Sequence, residues 1–284
     1  MIVVADSGST KTHWEFIGQH QPVLSYTTQG ISPFFLSTEQ IQQLVEKDLL
    51  SQLPQGMAQQ VLTVYYYGTG CSTPTKVASV QNALKAVFTQ ADCVVDHDLI
   101  GAARALCGRV PGIACILGTG SNSCSYDGQS ITSNVPSLGY FFGDEGSGAY
   151  IGKTFLYRLL KEQLPLAIVQ SFAQEVGFSR EDILTQMYQK PLPNRFLASF
   201  CPFIHKHLHH PVLADLVEGC FQDFIDQQLK AYPNYLNYPI HAVGSVAYYF
   251  QEQWFKVLSI NGLIPGKVIG SPIASLVAFH REIV

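Results

Sequence analysis

Two short turns rich in glycine and hydroxyl side chains could do chemistry in this sequence. Turn 1, residues 6–12 (DSGSTKT), follows the apolar run 1–5, and turn 2, residues 118–122 (GTGSN), follows the apolar run 113–117. A tight turn between strands points backbone N–H groups into one concavity, and glycine allows positive φ and the close approach of an anion. One such turn in each half of the chain predicts that both bind the phosphates of a single nucleotide.

Two aspartates are placed for metal binding or catalysis. Asp6 ends the first apolar run, where it can hold a hydrated Mg²⁺ beside the phosphates. Asp98 follows a predicted strand and precedes a predicted helix, and ligands of open α/β sheets bind at the carboxyl ends of strands. A carboxylate there can accept the proton of a hydroxyl that attacks a phosphoryl group. Asp96 competes for this role, and a second interpretation is that Asp98 only caps the helix.

A third acidic segment, residues 143–148, follows the aromatic run 139–142. Its glycines and its acids, Asp144 and Glu145, favour a loop that faces a sugar, with carboxylate oxygens accepting from hydroxyls. The alternative is that two acids at a helix start complement the helix dipole. Gly152-Lys153-Thr154 resembles the end of a P-loop, but Ser147 stands where that motif needs glycine, so we reject it.

The composition favours an α/β enzyme and limits its partners. Apolar residues make up 47% of the 284 residues and charged residues only 13%, so most elements should be well buried. A net charge of −4 without a basic run argues against nucleic acid as a partner. No apolar run reaches the ~18 residues that span a membrane, and no signal peptide is expected. Seven scattered cysteines without a CxxC pair indicate free thiols in a reducing cytoplasm.

The elements that position these residues follow a pattern that occurs twice. Strands are predicted near 1–5, 13–18, 23–28, 61–67 and 92–96, with helices over 38–50, 74–89 and 99–106. Ser37 or Thr38 can cap the first helix, and Thr73 followed by Pro74 is typical of the start of the second. From residue 112 the pattern restarts with strands 112–117, 121–126 and 129–133, followed by mainly helical sequence over 145–230, a strand at 239–243 and a helix at 246–258. We therefore predict two lobes around a cleft, 1–112 and 113–271, with a terminal helix in 272–284 returning to the first lobe.

Four segments, in their order along the chain, resemble motifs of the BadF/BadG/BcrA/BcrD-type ATPase family, which includes the N-acetylglucosamine kinases. They are residues 6–12, 118–121, 143–147 and 243–246, and residues 272–276 are similar to the family's last helix. The similarity covers essentially the whole chain. It implies duplicated ribonuclease-H-like (actin-like ATPase) domains with mixed sheets flanked by helices.

The resemblance also implies roles for individual residues. The first phosphate loop would be Asp6, Gly8, Ser9, Thr10 and Lys11, with Asp6 on the Mg²⁺ side, and the second would be Gly118, Thr119, Gly120 and Ser121. Gly244 and Ser245 would bind adenosine. Asp98 would be the catalytic base, and Ser32, Gly70, Asp98 and Asp144 would contact the sugar.

Two positions depart from the family pattern. His13 stands where relatives usually carry an acid, which changes the charge near turn 1. Ser32 stands where sugar-kinase relatives carry an asparagine that binds the hexose, and serine offers one hydroxyl in place of an amide. The identity of the sugar therefore does not follow from the resemblance.

The resemblance implies an ATP- and Mg²⁺-dependent kinase that phosphorylates the 6-hydroxyl of N-acetylglucosamine or a related amino sugar, with a homodimer as one possible assembly. A second branch of the family suggests an ATPase that activates a radical dehydratase or reductase through a shared cluster, for which Cys115 and Cys124 would have to face a dimer axis. A third hypothesis is a sugar or nucleotide sensor without catalysis.

Overall fold

A computed structural model of the chain describes residues 1–8, 10–18 and 22–281. The chain forms two compact units. Unit 1 consists of Met1–Gly108 and the segment from Pro272 onward, and unit 2 is Arg109–Ser271. Each unit has its own cluster of buried apolar side chains.

Unit 1 is built on a five-stranded mixed sheet. Its strands are β1 (Ile2–Ser7), β2 (Lys11–Ile17), β3 (Leu24–Gln29), β4 (Thr63–Gly68) and β5 (Asp92–His97). They lie in the order β3-β2-β1-β4-β5, with β1, β2 and β3 antiparallel and β4 and β5 parallel to β1. Its helices are α1 (Thr38–Leu44), α2 (Pro74–Val87), α3 (Asp98–Cys107) and, from the end of the chain, α13 (Ile273–Arg281).

The first two helices begin at the caps that the sequence indicates. Ser37 forms a capping box with Gln40, and Thr73 caps α2 with Pro74 at its first position. The predicted helix over 38–50 is not one regular helix, since α1 ends at Leu44 and a π-helical turn, Val45–Leu49, follows. That turn keeps the side chains of both Val45 and Leu49 buried in the core of unit 1.

Unit 2 repeats the sheet of unit 1. Its strands are β6 (Gly112–Leu117), β7 (Ser121–Tyr126), β8 (Ile131–Asn134), β9 (Pro239–Val243) and β10 (Ile264–Ile269). They lie in the order β8-β7-β6-β9-β10, with the same alternation of antiparallel and parallel neighbours. The predicted duplication and the predicted mixed sheets flanked by helices are confirmed, and each unit has the ribonuclease-H-like arrangement.

Strand β10 was not predicted from the sequence. Pro265 and Gly266 interrupt its apolar pattern, and both residues are unfavourable inside a central strand. They are tolerated here because β10 is the edge strand, and its register with β9 shifts between Pro265 and Val268. Such an irregularity accommodates a residue without an N–H group.

Unit 2 carries most of the helices. They are α4 (Gly139–Phe142), α5 (Gly148–Leu160), α6 (Leu166–Glu175), α7 (Arg180–Gln189), α8 (Pro193–Ala198), α9 (Cys201–Lys206), α10 (Pro211–Gln227), α11 (Ser245–Tyr249) and α12 (Gln251–Ile260). The predicted helix over 246–258 is therefore two helices, which meet at Phe250. Within the described residues, none of the helices combines the length and apolar character needed to cross a membrane.

Helix α13 returns to the first half of the chain and packs against α3 and β1. His280 on α13 is buried, and its Nε2 lies 2.7 Å from the hydroxyl of Tyr67 on β4. The Arg104 guanidinium on α3 donates to the same hydroxyl at 2.7 Å. The imidazole of His280 also stacks on the ring of Tyr65, with 3.8 Å between the ring centroids. These contacts join α13 and α3 to the sheet that carries turn 1.

Candidate functional site

Turn 1 is the connection between β1 and β2. Ser7 pairs with Thr12 at the end of the hairpin, and the Gly8 N–H donates to the Lys11 carbonyl at 3.0 Å. Thr10 and Lys11 are exposed. Ser9, which the sequence also assigns to this turn, lies outside the described residues. The hairpin thus holds the backbone of a tight turn at the carboxyl end of β1, where the sequence predicts an anion site.

A buried hydroxyl pair ties turn 1 to the segment that carries Ser32. Ser7 Oγ lies 2.7 Å from Thr12 Oγ1, and the Ile31 N–H donates to Ser7 Oγ at 3.2 Å. The Gly30 N–H donates to the Thr10 carbonyl at 3.0 Å. The two predicted ligand-binding segments of unit 1 are therefore held together. The nearly continuous apolar sequence of β1 indicates that Ser7, at its end, is also buried. This signal in the sequence could have revealed that the Ser7 hydroxyl bonds within the protein.

Asp6 lies in an unfavourable environment for a negative charge. Burial and the negative charge of Asp98 raise the pKa of Asp6 to about 7, against the opposing effect of Lys11. His13 is directly opposite Asp6 in the hairpin, and burial together with Lys11 lowers the pKa of its imidazole. A neutral His13 adds no positive charge, so a cation would relieve the repulsion between the two carboxylates. A carboxylate in this setting fits Mg²⁺, which prefers hard oxygen ligands.

Asp98 is the first residue of α3, and the residue that caps this helix is His97. The interpretation that Asp98 is only the cap is therefore wrong. His97 Nδ1 lies 2.7 Å from Asp98 Oδ1 and 3.0 Å from the Leu99 nitrogen. We assign the proton to Nδ1, with Asp98 as the acceptor, because an unprotonated nitrogen would repel a carboxylate at that distance. With that proton in place Nδ1 cannot also accept from the Leu99 N–H, so His97 Nδ1 either caps α3 or donates to Asp98.

The charges around His97 support this assignment. Burial alone would lower the pKa of His97, but the hydrogen bond to Asp98 and the charges of Asp98 and Asp96 together raise it. Asp96, the competing candidate for the base, has a cationic partner, since its Oδ2 accepts from Arg104 Nη1 at 3.1 Å. Asp98 is therefore the better placed of the two to accept a proton. Sequence reasoning missed His97, although a histidine between a strand end and an aspartate is a visible signal.

Ser32 and Gly70 come together in unit 1. Gly70 has a φ of +81°, and a Cβ placed on it would lie 2.7 Å from Phe34 Cδ2 and 3.2 Å from Ser32 Oγ. The neighbouring Cys71 is buried, and burial, with the charges of Asp98 and Asp96, raises the pKa of its thiol to about 12. The structure thus brings Ser32 and Gly70 together, beside a thiol that feels the charge of Asp98.

Turn 2 is the matching connection between β6 and β7 in unit 2. The N–H groups of Gly148 and Ala149, at the start of α5, donate to the carbonyls of Gly118 and Thr119 at 2.8 and 3.0 Å. The Gly118 N–H donates to the Gly120 carbonyl at 3.0 Å. Among the described residues, the N–H groups of Thr119 and Gly120 have no backbone hydrogen-bond partner. Two unused backbone donors in a glycine turn fit a phosphate.

Asp144 and Gly244 are both close to turn 2. Asp144 is 8% exposed, and its carboxylate accepts from Ser137 Oγ at 3.1 Å. Gly244, between β9 and α11, has a φ of +127°, and a Cβ there would lie 2.3 Å from the Leu117 carbonyl oxygen. Only glycine permits this approach of the β9 end to the β6 end. Ser245 begins α11 directly after it.

The chain is similar to several solved structures over its full length. A provisionally named N-acetylglucosamine kinase from Porphyromonas gingivalis is 43% identical, with 99% of each chain covered and a TM-score of 0.94. A second provisionally named N-acetylglucosamine kinase, from Chromobacterium violaceum, is 16% identical, with 98% of each chain covered and a TM-score of 0.75. A ROK family glucokinase from Streptomyces griseus, solved with glucose and AMPPNP, is 12% identical, with 99% of each chain covered and a TM-score of 0.53. No family model and no curated protein matches the sequence.

Proposed function

Because the chain belongs to the N-acetylglucosamine kinase-like branch of the BadF/BadG/BcrA/BcrD-type ATPase family, we propose that it transfers a phosphoryl group from ATP to the 6-hydroxyl of N-acetylglucosamine or a related amino sugar. The general activity, that of a sugar kinase, is supported by the relative at 43% identity. The observation that best supports the proposed transfer to a sugar hydroxyl is the arrangement of three aspartates in unit 1. Arg104 pairs with Asp96, while Asp98 lies beside His97 and within electrostatic reach of Asp6.

In the proposed reaction, Asp98 accepts the proton of the sugar hydroxyl as that oxygen bonds to the γ-phosphorus. The bond between the γ-phosphorus and the bridging oxygen breaks, and ADP leaves with the electron pair. Positioning and charge stabilisation supply most of the catalysis in such transfers. When bound, Mg²⁺ neutralises charge on the phosphates, and Asp6 is the residue that would hold it.

The remaining residues bind and orient the two substrates. Backbone N–H groups and hydroxyls of turn 1 and turn 2 bind phosphate oxygens, and Gly244 with Ser245 binds the adenosine. Ser32 and Gly70 contact the sugar. With a single hydroxyl, Ser32 makes fewer hydrogen bonds than the family asparagine would, so a hexose is held at this position by fewer polar contacts.

Replacement of Asp98 tests the proposal. Asp98→Asn should lower sugar-dependent ADP formation by roughly 10²–10⁴-fold, since that is the usual contribution of a general base. Asp96→Asn is the matched control and should retain most of the activity. The measurement is a coupled ADP assay over a panel of hexoses and N-acetylated amino sugars. Full activity in Asp98→Asn would remove Asp98 as the base, and wild-type protein without sugar-dependent turnover would refute the kinase.

The structure disfavours the activator hypothesis. Cys115 and Cys124 both have a relative exposure of 0%, in the sheet of unit 2. A cluster shared between two subunits needs thiolates at the subunit surface, and these thiols are in the interior. Binding of a sugar in calorimetry without any phosphoryl transfer would instead favour the sensor.

A further inference from the structure

We propose that Lys76, stacked on the ring of Phe34, binds a carboxylate on the acceptor sugar and so determines which sugars the protein uses. This inference rests on the proposed kinase function and names the class of its second substrate, an amino sugar with one acidic substituent. All the residues that support it belong to unit 1.

Phe34 lies against the segment that is assigned to the sugar. A Cβ placed on Gly70 would lie 2.7 Å from Phe34 Cδ2, 3.1 Å from Phe34 Cε2 and 3.2 Å from Ser32 Oγ. The N–H groups of Phe35 and Leu36 donate to the Ser32 carbonyl at 3.0 and 3.1 Å, which closes a turn that presents Phe34. The ring therefore has a fixed place beside Ser32 and Gly70, although the residue is 59% exposed.

The ammonium group of Lys76 lies over the face of this ring, whose negative electrostatic potential attracts a cation. Lys76 is in the first turn of α2. Helix α1 is linked to α2 through Thr38 and Ser79, whose hydroxyl oxygens are 2.7 Å apart. Because the turn at 32–36 leads directly into α1, these contacts keep the ammonium group next to the segment for the sugar.

The positive charge of Lys76 is not neutralised by a carboxylate of the protein. None of the ion pairs among the described residues includes Lys76. Stacking on a ring removes part of the water around an ammonium group, which strengthens its attraction for an anion. An ammonium group has only donors, so the ligand that completes this site must offer an acceptor.

A carboxylate fits these surroundings better than a phosphate. One ammonium group balances a single negative charge, whereas a phosphate dianion needs several charge-assisted donors. Beside Gly70, burial and the charges of Asp98 and Asp96 raise the pKa of the neighbouring thiol to about 12, so the region is otherwise negative. A substituent with two charges would be repelled more strongly than one with a single charge.

Ser32 is compatible with a larger sugar. Serine is smaller than the asparagine that sugar-kinase relatives carry here, so it leaves room for a substituent on the hexose. A carboxylate can only accept hydrogen bonds, and both the Ser32 hydroxyl and the Lys76 ammonium group can donate them. The contact that the sugar ring loses at Ser32 is therefore replaced by a contact to the substituent.

The test compares three sugars. N-acetylmuramic acid carries a carboxylate on an ether at C3, its methyl ester has nearly the same bulk without the charge, and N-acetylglucosamine lacks the substituent. In the coupled ADP assay with wild-type protein, kcat/KM for the acid should exceed that for the ester by about tenfold, as expected for a hydrogen bond between charged groups. Lys76→Gln should bring this ratio close to one.

Two further variants separate the charge from its position. Phe34→Leu keeps an apolar side chain against Gly70 but removes the aromatic face beneath Lys76, so the ratio should fall by about threefold. Lys85→Gln is the matched control, because Lys85 is an exposed lysine on the same helix. It should leave the ratio and the KM for ATP at their wild-type values.

Three results would overturn the inference. Equal kcat/KM for the acid and its ester in wild-type protein would show that the charge is not recognised. Phosphorylation of N-acetylglucosamine alone would show that the site has no room for the substituent. A raised KM for ATP in Lys76→Gln, with an unchanged ratio between the sugars, would assign Lys76 to the nucleotide.

Failure of the kinase proposal would look different, because no sugar would then give ADP. In that case calorimetric titration with N-acetylmuramic acid and its methyl ester still tests the role of Lys76. Tighter binding of the acid by wild-type protein, lost in Lys76→Gln, would support the site. Equal affinities for the two sugars, or no binding of either, would refute it.

Discussion

His97 contacts the residue that the proposed reaction needs as its base. With the proton on Nδ1, His97 orients Asp98 through Oδ1 and leaves Oδ2 to accept from the sugar. Removing the donor in His97→Leu should lower kcat by about 10- to 100-fold, because a small misplacement of a catalytic group has effects of this size. Asparagine places its amide N–H near the position of Nδ1, so His97→Asn should recover most of kcat.

Capping of α3 is tested separately, because Nδ1 accepts from the Leu99 N–H only when it carries no proton. A third variant, His97→Ser, offers a capping hydroxyl on a side chain too short to reach Asp98, and adds no charge. We expect a thermal midpoint close to that of wild type in His97→Ser together with low kcat. Wild-type kcat in both His97→Leu and His97→Ser would show that the contact has no catalytic role.

The raised pKa of Asp6 predicts a stability that depends on pH. Its folded pKa of about 7 lies above the unfolded value near 3.8, so the folded protein binds this proton more tightly. The stability contributed by the proton is present at low pH and is lost as pH rises from about 4 to about 7. Without Mg²⁺ or nucleotide, Asp6→Asn should therefore be more stable than wild type at pH 8, by roughly 1–3 kcal/mol.

Thermal unfolding at pH 8 and pH 5 checks this prediction. The gain in Tm for Asp6→Asn should shrink at the lower pH, where wild-type Asp6 is protonated in the folded state. Glu15→Gln on the same hairpin is a control that should show no such trend. An equal gain at both pH values would mean that the carboxylate charge is not the cause.

At the level of residues, the sequence predicts the parts of the site that are continuous in the chain. Turn 1, turn 2 and the position of Asp98 at a strand end follow from local patterns. The contacts of Ser7 with Ile31, and of Gly120 with Asp144, join residues 24 positions apart in each case. Such pairs depend on tertiary packing, which periodicity and turn chemistry do not encode.

Among the secondary-structure elements, α13 has the clearest stabilising contact. The Tyr67 hydroxyl bonds to His280 on α13 and accepts from Arg104 on α3. Burial helps to raise the pKa of Tyr67 to about 12, so this hydroxyl stays protonated at neutral pH. Tyr67→Phe should destabilise unit 1 by about 1–3 kcal/mol, since it removes a buried hydrogen-bonding group.

Tyr65→Phe is the matched control for this prediction. It keeps the aromatic ring that stacks on His280 and removes only a hydroxyl outside that contact. Denaturant unfolding of both variants gives the comparison. Equal stabilities would mean that α13 is held by apolar packing alone.

The elements themselves are predictable to the extent that their signals are local. Caps at Ser37 and Thr73 correctly mark helix starts, and the three strands that open each unit follow from apolar runs and turns. Strand β10 was not predicted because Pro265 and Gly266 interrupt its apolar pattern. The break between α11 and α12 at Phe250 was not predicted because the apolar periodicity continues from one helix into the other.

For the whole molecule, the separate cores predict that unit 2 folds alone. All of its buried apolar cluster lies between Ile113 and Leu263, within one continuous stretch of chain. A fragment of residues 109–271 should therefore unfold cooperatively in circular dichroism. Unit 1 needs both ends of the chain, so a fragment of residues 1–108 should be markedly less stable than the same fragment with α13 attached. A fragment 109–271 without a cooperative transition would contradict this prediction.

The edge of the unit 2 sheet has a consequence for association between molecules. An open strand with a regular row of N–H and C=O groups can recruit a strand from another chain, which leads to fibrils or swapped dimers. At β10 the ring of Pro265 removes one donor, and the shifted register disturbs the spacing of those that follow. Pro265 and Gly266, which interrupt the apolar pattern of β10 and prevented its prediction, thus also make its open edge a poor template for aggregation.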